Sequence, residues 1–306
     1  MSLQFSLQMP NALDATSWGQ RVRRAEDIGC HSISIPDHLS PNLPQLAPMV
    51  ALAAAASVTS RVRLATTVLD NDFRHPVMLA KEIATLDLLS NGRVDLGMGA
   101  GWHEDDYIRS GVAAWDPPAT RVARLWESIE LLDRLLTGDE VTFAGDHYRV
   151  DRFRSHPATV QRPIPLIVGA GGREMLTRAA KRADVISLII QLRGSADKRR
   201  AAFEEQLGWI AAAGGRARSD LRLGVRVFFG AVCGPGEARR SAAERLAAQF
   251  EMEVEDVLTS PFCMVGDPSA IRDHFVEIHE RYGVTYFTLN EELALQVAPI
   301  IEELSA

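Results

Sequence analysis

The stretch Arg61 to Trp102, RVRLATTVLDNDFRHPVMLAKEIATLDLLSNGRVDLGMGAGW, limits the fold more than any other part of this chain. Val62 to Val68 is apolar and β-branched, as a strand buried on both faces is. A helix is predicted to open at Pro76, where a missing N–H costs nothing. Leu79, Ile83, Leu86 and Leu89 then share one face, and Asn91-Gly92 supplies a left-handed stop. Arg93 to Met98 is a second strand that runs into Gly99-Ala100-Gly101-Trp102. Two apolar strands joined by a helix form a βαβ unit, which requires a parallel sheet with helices on its faces. A glycine loop after such a strand lets a ligand's phosphate approach backbone N–H groups.

The same alternation runs through the whole chain. Strands are predicted at Gln4 to Met9, His31 to Pro36, Ile164 to Val168, Asp184 to Ile189, Leu221 to Val232 and Val284 to Leu289. Helices are predicted from a Thr16 cap to Gly29, then over Leu43–Ser60, Thr120–Thr137, Arg173–Arg182, Ser195–Ala213, Gly236–Gln249 and Ser269–Tyr282, with a closing helix at the end. Val141 to Val150 reads as a hairpin turning at Gly145-Asp146. Eight strands, each followed by a helix, make an α/β protein with a parallel sheet. A doubly wound open sheet and a closed barrel share this pattern, so both stand at this point. Residues 139–163 and 190–200 are the expected insertions.

Composition narrows the function classes. At 306 residues, 46% apolar and 24% charged, the chain suits one (β/α)8 barrel with insertions and argues against disorder. A net charge of −7 argues against nucleic acid or an anionic membrane as partner. The longest apolar run, Met49 to Val58, is too short to span a bilayer, and no secretory leader is expected. Cys30, Cys233 and Cys263 are isolated, without disulfide or zinc spacing, which points to a reducing, cytoplasmic setting. Abundant Ala and Arg point to a bacterium.

Several residues could carry chemistry. Asp37 and His38 follow the proline that ends the second strand, and a His there exchanges protons near neutral pH. The plain alternative is a His hydrogen-bonded by Asp37. Gly99–Trp102 and Gly169-Ala170-Gly171-Gly172 are glycine loops at strand ends. The second immediately precedes a helix, whose N-terminus favours an anion. No GxGxxG opens a helix after the first strand, so a nicotinamide-type Rossmann site is unsupported. His103-Glu104 lacks the second His of HExxH, and no metal site is expected. His103 to Asp106 reads as a solvated acidic loop. His75 reads as a helix cap, and Arg74 as a residue that could approach the site or a carboxylate.

RHPVMLAKEIATLDLLSNGRVDLGMGAGW (74–102), QRPIPLIVGAGG (161–172) and MVGDPSAIRDHFVEIHERYGVTYFTL (264–289) together resemble the luciferase-like monooxygenase superfamily. Ile35-Pro36-Asp37-His38 resembles its branch that uses the deazaflavin coenzyme F420. The resemblance implies a single (β/α)8 TIM-barrel domain over 1–306, with insertion loops at the carboxyl ends of the strands. It implies that His38 is catalytic and that the cofactor is bound by Asp37, Thr67, Val68, Gly99, Ala100, Gly101, Trp102, Gly169, Ala170, Gly171 and Gly172. It also implies a non-proline cis peptide at Thr67–Val68 backing the ring. F420-dependent sugar-phosphate dehydrogenases carry an acidic glutamate where Trp102 stands, which puts a sugar-phosphate substrate in doubt.

The expected function is therefore F420-dependent hydride transfer between deazaflavin C5 and a small organic substrate. The alternatives are an FMN-dependent monooxygenase using reduced flavin and O2, and a non-catalytic flavin- or deazaflavin-binding protein. A homodimer is expected from the resemblance, with the Ala-rich helix over 46–58 as its packing face. Loops 38–46, 102–117 and 190–200 would set the substrate.

Overall fold

The computed structural model describes residues 2–190, 195–214, 221–234, 236–250, 252–260 and 262–306. Part of the expected 190–200 insertion lies outside these residues. The chain divides into two compact units, one of residues 9–26 and 32–169, the other of 1–8, 27–31 and 170–306.

β1 (Gln4–Gln8) belongs to the second of these. The first opens with α1 (Ala15–Asp27), of which residues up to 26 lie in it. Asp14, not Thr16, caps this helix, its Oδ1 accepting the Ser17 N–H at 2.8 Å. Thr16 already lies inside the helix, so its hydroxyl has no cap to make. β2 (Ser32–Ile35) is followed by α2 (Pro48–Ala56). The expected helix over Leu43–Ser60 is shorter because Pro44 and Pro48 push the residues before them out of helical geometry. β3 (Arg63–Thr66), the short β4 (Leu69–Asp70), α3 (Pro76–Leu89) and β5 (Val94–Gly99) follow as the βαβ pattern requires. α3 ends where Asn91 and Gly92 take φ of 58° and 77°. α4 (Glu104–Ser110), α5 (Pro118–Leu135), the hairpin β6 (Glu140–Ala144) and β7 (Arg149–Arg154), and β8 (Leu166–Ala170) complete the stretch. β3 pairs in parallel with β2 and β5, and β5 with β4 and β8. Every residue of β2, β5 and β8 is buried, as apolar strands under helices must be.

The second unit continues with α6 (Arg173–Arg182), β9 (Val185–Leu188), α7 (Ala196–Ala212) and β10 (Arg222–Arg226). The single strand expected over Leu221–Val232 is two. Val227 N–H makes its bond to Thr288 O, then Phe228 N–H turns to Phe262 O. The chain thus leaves the main sheet, and β11 (Phe229–Val232) pairs elsewhere. After α8 (Arg239–Phe250) and α9 (Val254–Thr259), β12 (Cys263–Gly266) joins β11 in a separate parallel pair. Ala243, Leu246, Val257 and Val265 form the core beneath that pair. α10 (Pro268–Tyr282), β13 (Val284–Asn290), α11 (Glu291–Gln296) and α12 (Ala298–Ser305) close the chain. β13 pairs with β1 and β10; Phe5 stacks on Phe287 and Phe275 meets both rings edge-to-face, with centroids 4.9–5.8 Å apart.

The main sheet runs β3-β2-β1-β13-β10-β9-β8-β5-β4, with β3 also paired to β5. This strand order is that of an α/β protein of the (β/α)8 barrel class, and it selects the barrel over the open sheet.

One buried charge ties α3 to the segment before β8. Asp87 has no exposed surface and accepts N–H bonds from Val160 at 2.7 Å, Gln161 at 2.9 Å and the Gln161 amide at 2.8 Å. Asp87→Ala removes the acceptor of three N–H bonds, two of them from backbone groups. It is expected to lower stability by roughly 3 kcal/mol, read from urea unfolding with an unchanged slope. A loss within error of zero would show that these bonds contribute nothing net.

Candidate active site

The site in the first unit is built where β2, β3 and β5 end. Pro36 stops β2, and Asp37 and His38 follow. Asp37 is buried and takes both Arg74 guanidinium nitrogens, NH1 at 2.5 Å and NH2 at 3.2 Å. It also accepts the Asp70 N–H at 3.2 Å. Arg74 therefore approaches a carboxylate, as the sequence allowed, and His75 caps α3 by accepting the Val77 N–H at 3.2 Å.

His38 is not held by Asp37. Its Nδ1 lies 2.6 Å from Asp106 Oδ2. Asp106 Oδ1 accepts the N–H groups of Leu39 at 2.9 Å and Ser40 at 2.5 Å. The expectation of a solvated acidic loop over His103–Asp106 is thus corrected. His103 is the N-cap residue of α4, and Asp106 is buried in its first turn. The sequence could not show this, because acidic residues in a first turn are explained by the helix dipole alone. Only the fold brings Asp106 to a His 68 residues away.

His38, His103 and Asp106 are the one group of three possible metal donors among the described residues, with donor atoms within 4.8 Å of one another. Asp106 already accepts three hydrogen bonds, so its charge is compensated without an ion. The arrangement reads as a hydrogen-bonded His–Asp dyad. With Nδ1 committed to Asp106, Nε2 is the nitrogen left to exchange a proton. Trp102 stands edge-on to the His38 ring at 5.5 Å and is 65% exposed.

The Thr67–Val68 peptide is cis, as the resemblance implied. A β-carbon on Gly99 would lie 2.8 Å from the Val68 side chain, and one on Gly169 3.0 Å from it. These two glycines therefore make room for Val68. Thr66 Oγ1 bonds the Gly97 carbonyl at 2.9 Å, while Thr67 Oγ1 is buried and makes no hydrogen bond. Arg121 fastens the rest of this loop, donating to Ala100 O at 3.1 Å and Gly101 O at 3.4 Å while its guanidinium stacks on Trp115.

Beneath Gly101 lies a network the sequence did not reveal. Tyr107 donates to Asp70 at 2.7–2.8 Å, and Arg124 grips Asp72 through two bonds of 2.7 Å and Asp116 at 2.9 Å. Burial pushes the Asp70 carboxyl up to about 7, and the neighbouring charges of Asp72 and Asp37 add to it. Burial, with the Asp70 charge, also raises the Tyr107 phenol.

The remaining sequence-predicted positions lie in the second unit. Ala170 ends β8, Gly171 follows, and Gly172 is the N-cap of α6 with no side chain capping it. A β-carbon on Gly171 would stand 3.0 Å from Ile189 O, whereas Gly172 faces open space. The Gln206 amide holds this turn, donating to Gly171 O at 2.9 Å and Ile189 O at 3.0 Å.

Asp70 has a consequence for stability. An unfolded Asp titrates near ~3.9, whereas the folded group titrates at about 7. Below both values each state carries the proton. Between them the unfolded chain releases it and the folded chain keeps it, so this contribution falls as pH rises and is flat above about 7. The stability difference between wild type and Asp70→Asn is expected to shift toward the variant by on the order of 2–4 kcal/mol from pH ~4 to ~7. Thermal or urea unfolding across pH reads it, and a pH-independent difference would place the Asp70 proton elsewhere.

Residues 7–285 match the family described as luciferase-like monooxygenase. An uncharacterized protein of Mycobacterium tuberculosis is 42% identical over 173 residues, covering 50% of this chain and 60% of that protein. An F420-dependent glucose-6-phosphate dehydrogenase of Amycolatopsis mediterranei is 37% identical over 166 residues, covering 53% of this chain and 49% of that one. The chain thus spans about half to three-fifths of the length of these curated relatives. Among solved structures, the coenzyme F420 dependent tetrahydromethanopterin reductase from Methanopyrus kandleri shares the fold. It has a TM-score of 0.75 at 20% identity, over 100% of this chain and 98% of that one. No helix among the described residues is long and apolar enough to cross a membrane. The barrel strand order, the residues gathered at its strand ends and a match over most of the length agree: the chain belongs to the luciferase-like monooxygenase family.

Proposed function

We propose that this chain is an F420-dependent oxidoreductase that moves a hydride between deazaflavin C5 and a small organic substrate. In this reading it acts as a single (β/α)8 domain, in a cytoplasmic homodimer of a bacterium. The observation that carries the proposal is the His38–Asp106 dyad at the end of β2, beside an exposed Trp102. The relative named for F420-dependent dehydrogenation supports the choice of cofactor.

The residues present fit such a cofactor. Thr67 Oγ1 is buried with no hydrogen-bond partner, so it can accept or donate at a ring edge. Gly171 and Gly172 form a cradle that a β-carbon would begin to fill at the first position, at the uncapped start of α6. Peptide N–H groups and the positive end of a helix dipole hold a phosphate there. When bound, F420 supplies an obligate hydride carrier.

The chain's own residues do the rest. His38 Nε2 exchanges a proton with the substrate. Asp106 fixes the imidazole through Nδ1, while the Leu39 and Ser40 N–H groups keep Asp106 itself in place. Asp37, bonded by Arg74 and the Asp70 N–H, holds the end of β2 rigid and would contact the cofactor when bound. An FMN-dependent monooxygenase is the second reading, favoured by the description of the matched family itself. A non-catalytic flavin- or deazaflavin-binding protein would bind cofactor and turn nothing over.

Titration of the purified apo-protein separates these readings. F420 is expected to bind at least about tenfold more tightly than FMN, a difference of ~1.4 kcal/mol; equal affinity, or FMN alone retained, excludes the F420 reading. Gly172→Val, where a β-carbon meets nothing within 4 Å, is expected to weaken F420 binding while the circular-dichroism spectrum and melting stay near wild type.

His38→Ala and Asp106→Asn test the dyad. The first is expected to lower turnover by roughly 10²–10⁴-fold with far less change in cofactor affinity. The second is expected to displace the pH–rate profile as well as lower the rate. Near wild-type rates and profiles in both would remove His38 from proton transfer.

A further inference from the structure

We infer that the substrate part lying against His38 is uncharged and apolar, an aliphatic or aromatic carbonyl compound or its alcohol, and not a phosphorylated sugar. This rests on the proposed oxidoreductase activity and adds a substrate class to it. It runs against the substrate named for the Amycolatopsis relative.

Two observations within the first unit carry it. The first is apolar surface at the reacting group. Trp102 is 65% exposed and stands edge-on to His38, and Leu39, the next residue in the chain, is 47% exposed. A large indole left open beside a proton-exchanging His gives a flat apolar wall, and an apolar body covering it gains by burial.

The second is charge. A phosphate needs a cation or free N–H groups, and the guanidiniums around this site among the described residues of the first unit are spent. Arg74 is on Asp37, Arg124 on Asp72 and Asp116, and Arg121 on the carbonyls of Ala100, Gly101 and Asp116. Arg109 pairs with Asp105. Against Arg74, Arg121 and Arg124 stand Asp37, Asp70, Asp72, Asp106 and Asp116, so carboxylates outnumber guanidiniums even with Asp70 protonated. A dianionic phosphate brought to His38 meets net negative charge and no unpaired guanidinium among these residues.

Saturation-transfer NMR on the F420-loaded protein tests this with cyclohexanone and cinnamaldehyde as neutral probes and glucose 6-phosphate as the anionic one. The neutral probes are expected to bind, with little dependence on salt. Their affinity is expected to fall by about tenfold in Trp102→Ala and to fall also in Leu39→Ser. Both positions are exposed, and circular dichroism checks that each variant folds. Glucose 6-phosphate is expected to give no transfer at the same concentration. Binding of glucose 6-phosphate as tight as the neutral probes overturns the inference, as does failure of both neutral probes or their unchanged affinity in both variants. F420 loading is measured first by its own absorbance: failure there strikes the proposed function, whereas loading with the wrong probe preference strikes only the substrate class.

Discussion

Asp106 is the group on which the site depends. Its carboxylate closes a loop of chain between β2 and α4, taking two backbone N–H groups with one oxygen and the His38 imidazole with the other. A buried carboxylate without such donors would protonate or drag water inward. With one oxygen taken by the two N–H groups, the other faces the His38 imidazole and selects its tautomer. The same three bonds fix the direction in which residues 39 and 40 leave the strand. Backbone path and imidazole orientation are therefore set by one side chain, and neither can relax without the other.

A second layer of carboxylates lies beneath the first. Asp70 sits under Gly101, held by Tyr107, and a β-carbon on Gly101 would meet both of those groups. Gly101 has φ of +74°, a conformation other residues rarely adopt. The turn that presents Trp102 is thus shaped from below by Asp70 and Tyr107 and fastened at its carbonyls by Arg121. Paired arginines in this layer act as struts, which is why their charge is not available to a ligand.

Most of the fold was legible in the sequence, because apolar strands and helical faces repeat with periods that packing enforces. Pro76, Asn91 and Gly92 marked the ends of α3 correctly, since proline and positive-φ residues act locally. The errors fell where a neighbour distant in sequence decides. Leu221–Val232 looks like one strand, but Phe262 captures its second half through the N–H groups of Phe228 and Phe229. Leu43–Ser60 looks helical by composition until Pro44 and Pro48 within it are weighed. In the site, His38 could be picked out from its place at a strand end. Its partner could not, because nothing in HEDD distinguishes the one buried acid from the two beside it that are not buried.

The two glycine loops look alike in sequence and are physically different. In the first, Gly99 is needed by Val68, and Gly101 by Asp70 and Tyr107. Its glycines serve the protein's own packing, and its carbonyls are already engaged by Arg121. In the second, Gly169 also makes room for Val68, but a β-carbon on Gly172 would meet nothing within 4 Å, and Gly172 begins a helix that no side chain caps. An uncapped helix start is a standing cost unless water or a ligand satisfies its N–H groups. Of the two loops, only this one joins open space at a glycine to a helix start that no side chain caps. The loop at Gly99–Gly101 therefore has a physical reason to exist without any ligand at all, which the packing around Gly172 does not supply.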